Sequence, residues 1–251
     1  MVPLLLFKES FVRYRIFLDE IYFASALNAC EIFIGLYNED PEPLRRSLAP
    51  EIEAIYGKPM PVITENISNM VIDAVAFMTR GPKFDLKQSK QFAELKSVLE
   101  ALQARTPSGD RDLPLRIEID SDAARTFIGA LESHFRFASG QFKIAMEFFE
   151  HDLICSYEEF REGIRMRDKA MMIEGPYKEL LQLSGSKGFG LGQPQMAPGT
   201  TEAFTLQRTI LHRLSWDKCP EGHWSYPWDK PSHYGSSPFM PKIEKITEDG
   251  A

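Results

Sequence analysis

Cysteine is scarce in this chain: Cys30, Cys155 and Cys219 are far apart and odd in number. No CxxC pair and no Cys/His cluster has zinc spacing, which argues against a disulfide scaffold and a zinc module and leaves free thiols in a reducing compartment. Basic charge is short as well. Lys plus Arg total 29 against 36 Asp plus Glu, a net charge of −7. Residues 1–112 hold 13 basic and 16 acidic side chains and the remainder 16 and 20, so neither half is a basic module. A general duplex-DNA binder needs many phosphate-neutralising cations, and this balance argues against one. A small anionic ligand stays open, because two or three converging arginines suffice for it. Long apolar runs are missing too. The start, MVPLLLFKESF, lacks a basic n-region and a small-residue cleavage site and is too brief for a membrane span. The expectation is a cytoplasmic protein with no membrane partner.

What the chain does have is ordinary globular composition, 43% hydrophobic and 26% charged over 251 residues. That suits one or two compact units. A chain of this size buries roughly 70% of its unfolded surface and needs no cross-link or metal to fold.

Residues 9–37 carry Phe11, Tyr14, Phe17, Leu18, Ile21, Tyr22, Ala26, Leu27, Cys30, Phe33 and Ile34. This spacing predicts one long helix with a wide apolar face, buried on more than one side or seeking a partner helix. Pro41, Pro43 and Pro50 predict a loop, with a short helix at 50–56. Helices are expected at 64–79, with Thr64 as a candidate N-cap, and at 86–104. Thr106–Asp110 has turn chemistry, and beyond it Leu115, Ile117 and Ile119 alternate with Arg116, Glu118 and Asp120. That period of two predicts a one-sided strand. Asp120 or Ser121 then caps a helix whose apolar face runs through Phe127, Leu131, Phe135, Phe142, Met146 and Phe149, with Gly140 inside it at a cost of about 1 kcal/mol. Further helices are expected at 156–173, at 176–183 and after Thr200 or Thr201, with strands at 223–228 and 239–246. The fold class is therefore α+β and mostly helical. A helical N-terminal region, 1–106, precedes a strand–helix domain, 113–246, with a small antiparallel sheet.

Three constellations carry candidate chemistry. The stretch SGSKGFGLGQPQMAPGT is a ligand loop with Phe189 free to stack on a base, or a plain connector. It has no GK[ST] and fails as a Walker motif. Glu147, Glu150, Glu159 and Glu162 have metal-like spacing, but Arg161, Arg165 and Arg167 interleave, which favours a salt-bridged face. Arg208 and His212 lie one helical turn apart, with Arg213 beside them, and can face an anion or simply line an exposed helix. The five histidines are scattered and form no nucleophile set, so no catalytic residue, metal or cofactor is expected.

The C-terminal half resembles a known family. LRIEIDSDAARTFIGALESHFRFASGQF, with Arg136 and Gly140-Gln141-Phe142, is similar to the opening of the phage-encoded Thoeris anti-defence proteins of the Tad1 type. The stretch FGLGQP…EAFTLQRTILHRLSWDKCPEGHWSYPWDKP and the tail SSPFMPKIEKI follow in the family's order, covering residues 113–246. The resemblance implies a homo-oligomeric sponge in the host cytoplasm. It would sequester a cyclic ADP-ribose-like or cyclic oligonucleotide immune signal without cleaving it. It also implies a ligand set of Phe189, Gln193, Phe204, Arg208, His212, Arg213, Arg136 and Gln141. Two departures stand out: Gln193 replaces the family's loop Asn, and Leu211 stands where the family has a helix Arg. Two other classes stay open. One is an interaction protein that uses the wide N-terminal apolar face. The other is a metal-dependent nucleotide hydrolase built on the four glutamates.

Overall fold

A computed structural model describes residues 12–79, 90–138, 141, 199–218, 231, 233 and 237–246. The first element is not the expected helix. Residues Arg13–Leu18 form strand β1, with Tyr14, Ile16 and Leu18 turned inward and Arg13, Arg15 and Phe17 outward. The apolar positions of this stretch fit both periods, and pairing to other strands decides between them. Asp19 marks the switch: its carboxylate accepts from the Tyr22 amide at 2.8 Å and caps helix α1, Glu20–Tyr37.

Helices α2 (Glu42–Tyr56), α3 (Pro61–Thr79) and α4 (Lys90–Gln103) follow. The proline-punctuated loop is thus mostly helix. Pro43 sits in the first turn, where a missing N–H costs nothing, and Pro50 is exposed within the helix. Likewise Thr64 is not a cap. Pro61 opens α3, and the Thr64 hydroxyl donates to the Met60 carbonyl at 3.1 Å. Strands β2 (Thr106–Pro107) and β3 (Leu115–Asp120) lead into α5 (Ser121–Ala138), capped by Asp120, which accepts from the amides of Asp122 and Ala123 at 2.9 and 2.8 Å. Helix α6 (Thr200–Lys218) and strand β4 (Lys242–Ile246) complete the described chain.

The sheet order is β2-β3-β1-β4, and every described pairing is antiparallel. With the helices that follow β1 and β3, this is the strand order of a split βαβ arrangement, extended by extra helices. The strand from before the Thr106–Asp110 turn therefore lies between two strands from after it. Tyr14, Ile16, Leu18, Ile117 and Ile119 share one core with α1, α2, α4, α5 and α6. The wide apolar face of α1 is used inside the chain: Tyr22, Ala26, Ala29, Cys30, Ile32, Phe33 and Leu36 are essentially inaccessible. At its C-terminal end Gly35 allows the turn into α2, since a Cβ there would meet the Asp40 carbonyl and Pro43, both at 2.9 Å.

Among the described elements, helix α6 brings the most polar side chains into the core. Thr205, Gln207, Thr209 and Glu202 are buried beside Ala203, Leu206 and Ile210. Thr205 and Thr209 donate to the carbonyls four residues back, at 2.9 and 2.8 Å. Glu202 reaches back to the Gly199 amide at 2.8 Å, half of a capping box. The helix begins at Thr200, so Thr200 and Thr201 lie within its first turn. Among the described residues, no helix is long and apolar enough to cross a membrane.

Candidate functional site

Helices α5 and α6 run antiparallel. Phe135 of α5 meets Phe204 of α6 at one end, and Arg125 and Ile128 meet Leu211 and Leu214 at the other. The expected ligand residues are split between these two ends.

At the first end, Phe204 is 4% exposed, its ring centre 4.8 Å from that of Phe135 and 4.9 Å from the Arg208 guanidinium. A ring enclosed in this way has no face left for a base. Arg136 lies 5.6 Å from the Phe135 ring centre, donates to Glu132 at 3.1 Å, and donates to the side-chain carbonyl of Gln141. The Gln141 amide in turn donates to the Arg136 carbonyl at 2.8 Å. Arg136 and Gln141 thus close the C-terminal turn of α5. Beside them His134 is buried, its Nδ1 unpartnered, and burial lowers its pKa to about 4.

Arg213 does not join this group. Five residues at 100° each place it about 140° around the helix from Arg208. It forms a two-pronged pair with Asp217, at 3.1 and 2.9 Å. His212 Nε2 accepts from the Trp216 indole at 2.8 Å. The clamp of converging arginines implied by the resemblance is therefore not assembled by Arg208 and Arg213. Phe189 and Gln193 lie outside the described residues. So do Cys155, Cys219, Gly140, the helix positions Phe142, Met146 and Phe149, the four glutamates of the metal-like set, and the elements expected at 156–173, 176–183 and 223–228. Among the described residues no group of three or more His, Cys, Asp or Glu side chains could hold a metal ion.

The second end is open. A hollow of about 570 Å³ lies between β1, β4, the start of α5 and the end of α6. Val12, Ile128, Leu211 and Leu214 make its apolar wall; Tyr14, Ser121, Arg125, Ser215, Asp217 and Lys245 supply the polar groups. Tyr14 donates to Asp217 and has its pKa pushed up to about 12, first by burial and then by that carboxylate, against the opposing pull of Arg213 and Arg125. Asp217 is thus held between a guanidinium and a phenol. Arg125 also pairs with Asp122 at 2.9 Å, at the mouth.

Sequence reasoning missed this hollow, apart from noting Leu211 as a departure. Its lining comes from four elements and spans residues 12–245, and Tyr14 was assigned to a helix. The alternation Tyr14, Ile16, Leu18 was the one signal that could have moved it to the sheet.

No family model matches the chain, and no curated protein or solved structure proved similar to it.

Proposed function

We propose that this protein binds a small anionic, nucleotide-like ligand without breaking its bonds, and that the hollow between the sheet and the α5–α6 pair is where it does so. The observation that carries this reading is the hollow's composition. Its volume lies within the range of small-molecule sites, one wall is aliphatic, and the polar groups facing it include two cations, Arg125 and Lys245. The aliphatic wall suits a ring. Arg125 and Lys245 bring positive charge to a phosphate, and the nearby start of α5 adds its dipole. Leu211 fits this arrangement: it gives up a charge in favour of wall.

The lining favours binding over chemistry. Tyr14, with a pKa near 12, is a proton donor at neutral pH and a poor base. Asp217 already accepts from Arg213 and Tyr14, so its charge is balanced before any ligand arrives.

The wider proposal follows the resemblance: sequestration of a cyclic nucleotide immune signal by a phage protein acting as a homo-oligomer in the host cytoplasm. The site moves from the implied arginine cluster to the hollow. Native mass spectrometry of the protein as purified from cells reports subunit number and retained small molecules together. Incubation with a cyclic ADP-ribose-type or cyclic dinucleotide probe, followed by heat denaturation, is expected to return the probe unchanged. Recovery of a cleaved product overturns the reading. So does the absence of binding by wild-type protein to every such probe.

The apolar face of α1, which an interaction protein would use, packs against the chain's own helices, which favours the ligand-binding reading.

A further inference from the structure

The sheet has a second face, turned away from the core. Cross-strand register sets its residues in rows. Lys242, Phe17 and Arg116 stand side by side on β4, β1 and β3, with Thr106 of β2 beyond Arg116. The neighbouring rows are Glu244–Arg15–Glu118 and Ile246–Arg13–Asp120.

In the latter rows both arginines are spent on Glu118, and Glu244 pairs with Lys242 of the Phe17 row. Arg15 and Arg13 pair with Glu118 at 2.9 and 3.3 Å, and Asp120 is committed to capping α5. The Phe17 row differs. Its aromatic ring is half-buried, at the centre of the row, with the Lys242 ammonium 5.3 Å from the ring centre. On the other side Arg116 donates to the Thr106 hydroxyl at 3.2 Å. The strands that carry the two cations lie on either side of β1, about 5 Å from it, with Lys242 over the ring and Arg116 reaching outward to β2.

We propose that this row is a platform for single-stranded nucleic acid, with one base stacked on Phe17 and the flanking phosphates on Arg116 and Lys242. An unpaired base has a free face to lay on an aromatic ring, whereas a duplex hides its faces and would meet this face mainly through phosphates. The acidic balance of the chain and of the neighbouring rows repels a long duplex, while one base with two phosphates needs only the local charge of this row. Lys242 is 60% exposed, and its contact with Glu244 at 2.7 Å is a surface pair, weak enough to exchange for a phosphate. The ammonium leaves the ring as the base takes its place. This site is on the opposite face of the sheet from the hollow, since Tyr14 and Phe17 project to opposite sides of β1, and it does not depend on the hollow binding anything.

The test is fluorescence anisotropy of labelled oligouridylate and oligothymidylate with the full-length protein, at low and high salt, with a blunt duplex alongside. Saturable binding of a single strand, weakening as salt rises, is expected; preference for one sugar identifies RNA or DNA as the natural form. Phe17→Leu keeps apolar volume but loses the ring face, and is expected to bind roughly 5- to 150-fold more weakly, with Phe17→Trp restoring affinity. Lys242→Glu is expected to weaken binding to both sequences and to flatten the salt dependence. Circular dichroism checks that each variant is folded. The proposal is overturned if neither strand binds at about 100 μM protein in low salt, where electrostatic contacts are strongest. It is equally overturned if the duplex binds as tightly as the single strands, or if folded Phe17→Leu binds like wild type.

Discussion

The two ends of the α5–α6 pair use similar residue types in opposite ways. At one end Phe135, Phe204, Arg136 and Arg208 are packed ring against ring and guanidinium against ring, and Gln141 closes the turn. At the other, Tyr14, Arg125 and Lys245 surround open space, and Asp217 is neutralised by Arg213. Aromatic and basic side chains on a helix indicate a site only when their faces are left uncovered. Enclosed, the same groups are packing.

That contrast is open to direct attack. The largest expected effect is at the packed end. Phe204→Ala should cost about 3–5 kcal/mol of stability, measured by urea unfolding, because it empties a space lined by Phe135 and Arg208. A loss below about 1 kcal/mol would mean the ring is not structural.

His134 gives the same end a pH signature. Its pKa is about 4 in the fold against an ordinary value of 6.5. A histidine held neutral contributes stability above pH 6.5, and that contribution is lost as pH falls from 6.5 through 4, because the unfolded chain takes up a proton that the folded one refuses. The effect is on the order of 3 kcal/mol at full extent. His134→Leu should flatten the unfolding midpoint over that window, and an unchanged slope would assign it to other groups.

At the open end the effects on stability are smaller. Tyr14 has a folded pKa of about 12 against 10, so it contributes stability below pH 10 that is lost as pH rises from 10 through 12. Asp217→Asn removes one of the causes and should lower the Tyr14 midpoint in an ultraviolet titration, leaving it above 10 because burial persists. Breaking the part-exposed Arg213–Asp217 pair should itself cost about 1 kcal/mol or less. The smallest expected stability change belongs to Lys245→Glu, within about 0.5 kcal/mol. That variant should nonetheless weaken binding of an anionic probe about tenfold, by losing a charge-assisted contact and adding repulsion. Equal affinity in calorimetry would remove Lys245 from the site.

Much of the architecture was legible in residue order. Leu115–Asp120 alternates in and out with Asp120 as the cap, α4 and α6 follow their apolar spacing closely, and α5 follows it as far as its end at Ala138, short of the expected run to Phe149. The errors have local causes. Tyr14, Phe17, Leu18 and Tyr22 satisfy helical spacing while the chain runs as a strand, so six residues were joined to α1. Pro43 and Pro50 read as loop markers, but one occupies a first turn and the other a solvent-facing position. Arg208 and Arg213 were both recognised as basic positions on one helix, yet a separation of five residues turns them to different neighbours.

Residue order alone settled the kind of the described elements β3, α5, α6 and β4, the cap at Asp120 and the acidic balance, because periodicity, capping and net charge are local or additive properties. Only the tertiary structure decided that Arg13–Leu18 is the strand between β3 and β4, that Phe204 is enclosed, and that Val12, Ser121, Leu211 and Lys245 share one hollow. Those outcomes depend on which distant segments pair and which faces they cover, and no local pattern carries that information.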